Sequence, residues 1–155
     1  MLRTARILTR SGADADDLAQ ETMLKAFRAI DQLSAGSNPK AWLMTILRNA
    51  HVDRLRARRP SELSLNADLV AERESETPPG WGDAEQVLAS FSDEQIIAAL
   101  RTLPPEIRWT LLLTDVQGMD DVEAAQVLGV PDGTIKSRLH RGRRMLRNSL
   151  AKMNR

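Results

Sequence analysis

The stretch that decides the fold runs from Asp121 to Arg141 and reads D-V-E-A-A-Q-V-L-G-V-P-D-G-T-I-K-S-R-L-H-R. It predicts two helices joined by a tight turn, the helix-turn-helix arrangement. Ala125 is small where the helices must cross closely, and Gly129, four residues later, permits a left-handed turn. The apolar positions expected to face supporting helices are Val122, Leu128, Val130, Ile135 and Leu139.

The remaining face of the second helix is polar and basic. It carries Thr134, Lys136, Ser137, Arg138, His140 and Arg141. Arginine and lysine can bond guanine edges or phosphates, and Ser and Thr can contact either. Residues 133–155 hold eight basic residues and no acidic ones. A basic helix by itself would favour a solvated hairpin, but its coincidence with the small residue, the glycine and the apolar positions favours DNA binding.

Charge is segregated along the 155 residues, although the formal net charge is only +1. Residues 1–60 carry 11 basic and 6 acidic side chains, whereas residues 61–92 carry 1 basic and 7 acidic. Residues 93–155 return to an excess of basic residues, 10 against 8. Two basic segments separated by an acidic one indicate a polyanionic partner more clearly than the net charge of the whole chain does.

Composition excludes several classes of site. Because cysteine is absent, disulfides, zinc–thiolate sites, iron–sulfur clusters and a thiol nucleophile are excluded. Two histidines make a histidine-rich metal site a poor expectation, so we predict no metal and no cofactor. The longest strongly apolar stretch, Trp109 to Leu113, is too short to cross a bilayer, and the first ten residues do not resemble a secretory signal. We therefore expect no membrane insertion and a cytoplasmic protein.

Apolar spacing is helical almost throughout, which predicts an all-α fold of two small helical domains. The first domain is expected at residues 1–59, a flexible acidic linker at 60–91, and the second domain at 92–155. Asn38-Pro39 predicts the start of a helix that continues to about Arg58. One earlier helix has a predicted apolar face made of Ala19, Met23, Ala26, Phe27, Ile30 and Leu33.

The first domain carries its own candidate binding groups. Its last helix ends in a cluster of arginines that could follow a phosphate backbone: Arg48, Arg54, Arg56, Arg58 and Arg59. Trp42 could stack on an unpaired base, although the pattern alone favours a place in the core. Asp16, Asp17 and Glu21 form an acidic group for which a solvated helix start or a protein docking surface is a better interpretation than a metal site.

Four segments, in order, resemble the sigma factors of bacterial RNA polymerase of the extracytoplasmic-function type. The sequence D-A-D-D-L-A-Q-E-T-M-L-K-A-F at 14–27 resembles the family's polymerase-binding segment. K-A-W-L at 40–43 and R-N-A-H-V-D-R-L-R at 48–56 resemble its promoter-melting helix. L-P-P at 103–105 resembles the opening of its second domain, and G-V-P-D-G-T-I-K-S-R-L-H-R at 129–141 is similar to its promoter-reading helix.

The resemblance implies an alternative sigma factor that binds core RNA polymerase and directs promoter recognition and DNA melting. It implies docking on the clamp helices of the largest (β′) subunit by Asp16, Asp17, Gln20, Glu21 and Leu24. It also implies contact with the β subunit, and an anti-sigma factor as a regulatory partner.

Promoter DNA is the other partner that the resemblance implies. The loop 34–38 and the helix after it would engage the −10 element, where a flipped base is captured, through Asn38, Lys40, Trp42, Arg48, Asn49, Asp53 and Arg54. The −35 element would be read by Thr134, Lys136, Ser137, Arg138, His140 and Arg141.

Two other functions are compatible with parts of the chain. A dimeric helix-turn-helix regulator with its own operator would explain the second domain but would leave the acidic segment and the arginine helix without a role. An enzyme fits poorly, because the sequence has no phosphate-binding glycine loop, no metal set and no nucleophile–base pair. We therefore predict a protein without catalytic residues.

Overall fold

A computed structural model describes residues 1–58 and 92–153, and every regular element in these ranges is helical. The N-terminal half (1–58) contains α1 (Leu2–Leu8), α2 (Gly12–Arg28), a 3₁₀ turn (Ile30–Gln32) and α3 (Pro39–Arg58). The C-terminal half (92–153) contains α4 (Asp93–Arg101), α5 (Pro105–Leu111), a π-helical turn (Leu112–Val116), α6 (Asp121–Leu128) and α7 (Asp132–Met153). The predicted all-α class is confirmed, and the predicted linker at 60–91 lies outside the described residues.

Local sequence signals set where the helices begin. The side chain of Asn38 caps α3 by accepting hydrogen bonds from the backbone N–H groups of Lys40 and Ala41, at 3.0 and 3.2 Å. Ser92 with Gln95 and Asp120 with Glu123 form two capping boxes, in which side chain and backbone bond reciprocally. Each box satisfies backbone donors that would otherwise lack partners at a helix start.

In the N-terminal half, α2 packs against both α1 and α3 through a narrow stripe of mostly small residues. The buried residues of α2 are Ala15, Leu18, Ala19, Thr22 and Ala26. Met23, Phe27 and Ile30 are exposed, so the predicted apolar core face is wrong for these three. The small stripe lets the neighbouring helices approach closely, and this turns the larger apolar side chains toward solvent.

In the C-terminal half, α7 packs against α4, α5 and α6. The helix-turn-helix is formed by α6 and α7, and Gly129 occupies the left-handed region at φ +67° as predicted. Ala125, Leu128, Ile135 and Leu139 are buried, but Val122 is 51% exposed, contrary to the prediction. Val122 lies on the side of α6 opposite the buried residues of that helix.

The close approach of α5 and α7 depends on Gly142. A Cβ at this position would lie 2.7 Å from Cγ2 of Ile107 and 3.1 Å from a methyl group of Leu111, and both of these side chains are buried. Overpacking of this kind costs about 1–3 kcal/mol, which exceeds the roughly 1 kcal/mol that alanine gains over glycine in a helix.

We therefore expect Gly142→Ala to lower the free energy of unfolding by up to about 2 kcal/mol in urea unfolding followed by circular dichroism. Gly133→Ala is the matched control, since a Cβ there would meet nothing within 4 Å. Equal stabilities for the two variants would contradict the tight packing of α5 on α7.

Within the part of the chain described, no helix is both long enough and apolar enough to cross a membrane.

Candidate nucleic-acid interface

The polar residues of α7 lie on the solvent side of the helix-turn-helix. Helical spacing places Thr134, Ser137, Arg138 and Arg141 on one stripe, and Lys136 and His140 on the stripe beside it. Ser137 and Arg141 are exposed, whereas Thr134 and Arg138 are partly covered. The six predicted residues therefore form one continuous polar surface opposite the buried side of α7.

Arg143 has a different environment from the predicted residues. Its guanidinium donates two hydrogen bonds to the carboxylate of Asp115, at 3.1 and 2.7 Å. This bidentate pair ties α7 to the π-helical turn after α5 and raises the pKa of Arg143. Arg143 thus helps to hold the helix-turn-helix on its support.

The predicted −10 residues divide into three groups on α3 and the loop before it. Trp42, Asn49 and Asp53 follow one stripe on the outer side of the helix, with Trp42 half-buried and Asn49 exposed. In the loop, Gly36 adopts φ +88° and Ser37 donates a hydrogen bond to the carbonyl oxygen of Ser34 at 2.6 Å. The loop is exposed, as capture of a flipped base would require.

A second group lies between α3 and α2. Nε of Arg54 donates to a carboxylate oxygen of Glu21 at 2.6 Å, and Nζ of Lys25 lies 2.9 Å from the other oxygen and 3.7 Å from the carboxylate of Asp53. Lys25 and Arg54 hold the pKa of Glu21 below its ordinary value. The structure therefore joins a predicted polymerase residue, Glu21, to a predicted promoter residue, Arg54.

A third group lies where the N-terminal half contacts the C-terminal half. We call this contact the seam; in it α1 packs against α4, and α3 packs against α6. Asn38 donates a hydrogen bond to the carboxylate of Glu123, and Lys40 donates one to the carbonyl oxygen of Gln117. Arg48 is partly covered, and burial together with the nearby charge of Arg138 lowers its pKa. Asn38 and Lys40 thus contact the C-terminal half although both residues remain exposed, and Arg48 is half-buried.

The exposed side of α2 combines carboxylates with large apolar side chains. Asp16, Asp17 and Gln20 are exposed, Leu24 is 57% exposed and Phe27 is 79% exposed. Helical spacing places these five on one side of α2, and we call them the docking face. Sequence reasoning missed Phe27, together with the exposed Met23 and Ile30 beside it, because it assigned all three to the core.

His51 is a buried ionisable group at the seam. Its side chain is on α3, the residue is 7% exposed, and its ring centroid lies 6.0 Å from that of Trp109 on α5. Burial, and then the charges of Arg108, Arg54 and Arg58, lowers the pKa of His51 from 6.5 to about 4. The folded chain therefore holds this imidazole neutral at pH 7.

Stability is expected to depend on pH through His51. Between pH 6.5 and 4 the unfolded chain binds a proton that the folded chain does not, so stability falls as the pH falls. From pH 7 to pH 5 the loss from this group is about 2 kcal/mol. His51→Gln is expected to flatten the pH profile of urea unfolding by this amount, and an unchanged profile would contradict the burial of a neutral imidazole.

Each half of the chain matches a known protein family model. The family model described as Sigma-70 region 2 matches residues 1–60, and the one described as Sigma-70, region 4 matches residues 93–146. The chain is 40% identical over 146 residues to the ECF RNA polymerase sigma factor EcfG of Rhodopseudomonas palustris, covering 94% of this chain and 76% of that protein. It is 35% identical over 151 residues to the ECF RNA polymerase sigma factor SigE of Mycolicibacterium smegmatis, of whose length it spans only 57%.

Two solved structures resemble the whole arrangement. The sigma factor RpoE of Bartonella quintana, crystallised with the anti-sigma factor NepR, matches with a TM-score of 0.74 and 34% identity, over 99% of this chain and 91% of that one. CnrH, solved with the cytosolic domain of CnrY, matches with a TM-score of 0.66 and 26% identity, over 97% and 80%. The chain therefore belongs to the extracytoplasmic-function sigma factors, the alternative sigma factors that direct transcription initiation by RNA polymerase.

Proposed function

We propose that this sigma factor binds core RNA polymerase through the docking face of α2 and reads the two promoter elements through α3 and α7. The observation that carries the proposal is the docking face itself. Large apolar side chains on a solvent-exposed helix, bordered by carboxylates, are typical of a surface that a protein partner covers. The β′ clamp helices are the partner proposed for Asp16, Asp17, Gln20, Glu21 and Leu24, to which we add Phe27.

Glu21 contributes to this surface indirectly. Because its carboxylate pairs with Lys25 and Arg54, it orients α2 against α3 more than it faces a partner. The docking of polymerase on α2 and the engagement of DNA by α3 would therefore share a rigid support. Contact of the C-terminal half with the β subunit is proposed from the family resemblance.

For the promoter, we propose that α7 lies in the major groove of the −35 element. Arg138 and Arg141 would contact base edges or phosphates, and Thr134 and Ser137 would hydrogen-bond to the same kinds of group. Lys136 and His140 would contact the phosphate backbone of the DNA. At the −10 element, the loop 34–38 and Trp42 would hold an unpaired base, with Asn49 and Asp53 on the same side of α3. Capturing that base shifts the melting equilibrium toward open DNA.

Site-specific cross-linking tests these assignments together. A photoreactive amino acid in place of Gln20 is expected to link to β′ in the holoenzyme, and one in place of Ser137 to DNA at the −35 element. Lys152, near the end of α7, is the control position and should give neither product. DNA linked to position 20, or β′ linked to position 137, would overturn the assignment of the two surfaces.

We also propose an anti-sigma factor as a partner, supported by the two similar structures, each of which was solved with another protein bound. The chain is proposed to act in the cytoplasm and to contribute binding energy instead of catalytic chemistry. The polymerase would then supply the nucleotide-joining reaction, while the chain positions and opens DNA.

A further inference from the structure

The outer side of α2 carries a methionine within the row of docking residues. Asp16, Gln20, Met23 and Phe27 occupy positions i, i+4, i+7 and i+11, so they follow one stripe along the helix. Met23 therefore lies between two members of the docking face, three residues after Gln20 and four residues before Phe27. A partner that covers both Gln20 and Phe27 also covers the thioether between them.

Met23 is the most exposed of the six methionines of the chain, at 52%. Met44 and Met119 are buried in the core, and Met153, which is 39% exposed, lies at the C-terminal end of α7. The other two methionines are partly covered. An oxidant that approaches the folded chain from solvent therefore reaches the sulfur of Met23 before it reaches the core methionines.

The chemistry of oxidation depends on which sulfur groups the chain offers. Because cysteine is absent, no thiol competes for the oxidant, and the thioethers of methionine are the sulfur groups that remain. Hypochlorous acid transfers its oxygen atom to such a sulfur: the O–Cl bond breaks, an S–O bond forms, and chloride and a proton are released. The sulfur loses two electrons to the chlorine, and an apolar side chain becomes a polar sulfoxide.

Resting on the proposed function, we propose that Met23 is an oxidation site for hypohalous acids, and that its sulfoxide weakens the binding of core RNA polymerase. As a sulfide, Met23 packs against the polymerase as an apolar group beside Phe27. As a sulfoxide, it would place a polar oxygen in an apolar contact, where losing water without gaining a donor is costly. Methionine sulfoxide reductases reverse this modification, so the loss of binding is reversible.

Oxidation of Met23 should leave the fold intact, because this side chain does not belong to the core. The helix packs through its opposite side, whose buried residues are Ala15, Leu18, Ala19, Thr22 and Ala26. The melting temperature of a chain oxidised at Met23 should therefore equal that of the untreated chain. A loss of polymerase binding at constant melting temperature then reports on the docking face and not on unfolding.

Titration of the full chain with hypochlorous acid, followed by removal of the oxidant, tests the proposal. Peptide mass spectrometry gives the sulfoxide content of each methionine, and fluorescence anisotropy with untreated core polymerase gives the affinity. Met23 is expected to be converted before Met44 and Met119. Its conversion should lower the affinity by at least about tenfold, the contribution of burying an apolar side chain of this size. Treatment with a methionine sulfoxide reductase should restore the affinity.

Three variants separate Met23 from the other methionines. Met23→Leu removes the oxidisable sulfur, so the affinity of this variant after oxidation should equal its own affinity before oxidation. Met153→Leu is the matched control, since it removes another exposed thioether but keeps Met23, and it should lose affinity as the unaltered chain does. Met23→Gln places a polar amide of similar length in the stripe and should bind polymerase weakly without any oxidant.

Two kinds of result would overturn the proposal. One is a folded chain in which other methionines are oxidised while Met23 stays a sulfide. The other is an affinity that survives the conversion of Met23, or that falls equally in the treated Met23→Leu variant. If the untreated, folded chain does not bind core polymerase at all, the proposed function fails, and the role of Met23 fails with it.

Discussion

Replacing Leu24 and Phe27 together by alanine is expected to weaken binding of core RNA polymerase by at least about 100-fold, because burying each side chain contributes about 1.5–3 kcal/mol. Both side chains are exposed in the chain itself, so the melting temperature should stay unchanged. Fluorescence anisotropy with labelled chain and purified core polymerase gives the affinity, and circular dichroism gives the melting temperature.

Leu2→Ala is the matched control for this pair, since Leu2 is also an exposed apolar residue of the N-terminal half but lies on α1. Its affinity for polymerase should equal that of the unaltered chain. An affinity of the double variant within about threefold of the original would place the polymerase-binding surface elsewhere.

Charge reversal is a weaker test of the same surface. Exchanging both Asp17 and Glu21 for lysine is expected to abolish polymerase binding, but Glu21 also pairs with Lys25 and Arg54. Its reversal would therefore disturb the packing of α2 on α3 as well. Asp17→Lys alone separates the two effects, because Asp17 is exposed on the docking face.

Replacing Arg138 and Arg141 by alanine is expected to weaken promoter binding by the holoenzyme by about 1–3 kcal/mol for each arginine that contacts base edges. Loss of a base contact should also relax the preference at the matching position of the −35 element, whereas loss of a phosphate contact should weaken all sequences equally. The measurement is competition between the promoter and single-base variants at constant salt.

Lys152→Ala is the control for this experiment, since it removes a positive charge near the end of α7 without touching the predicted surface. It should leave the promoter preference intact. Binding by the double variant that is unchanged in both strength and preference would remove α7 from −35 recognition.

Helix boundaries could be predicted because their signals are local. The capping boxes at Ser92 and Asp120, the cap at Asn38 and the left-handed Gly129 each depend on neighbouring residues. Which side of a helix is buried depends instead on how the helix packs against its neighbours. On α2 the spacing of apolar residues suggested a core containing Met23 and Phe27, but the fit of small residues against α1 and α3 turned them outward.

In the candidate site, too, features set within one helix could be predicted, whereas contacts between helices could not. The polar surface of α7 follows from its own periodicity, so all six predicted residues share one side of the helix. The pairing of Arg54 with Glu21 joins residues 33 positions apart, and it depends on how α2 meets α3. The seam joins residues as distant as Thr4 and Gln117, whose side chains have no sequence signal that would predict contact.

The most direct test of the central claim is transcription in vitro with core RNA polymerase, a library of genomic fragments from the source organism, and sequencing of transcript 5′ ends. If the chain is a sigma factor that selects promoters, its addition should produce transcripts from defined start sites that share −35 and −10 sequences, and core polymerase without it should not. Transcripts identical to those of core polymerase alone, despite a folded chain, would contradict the account.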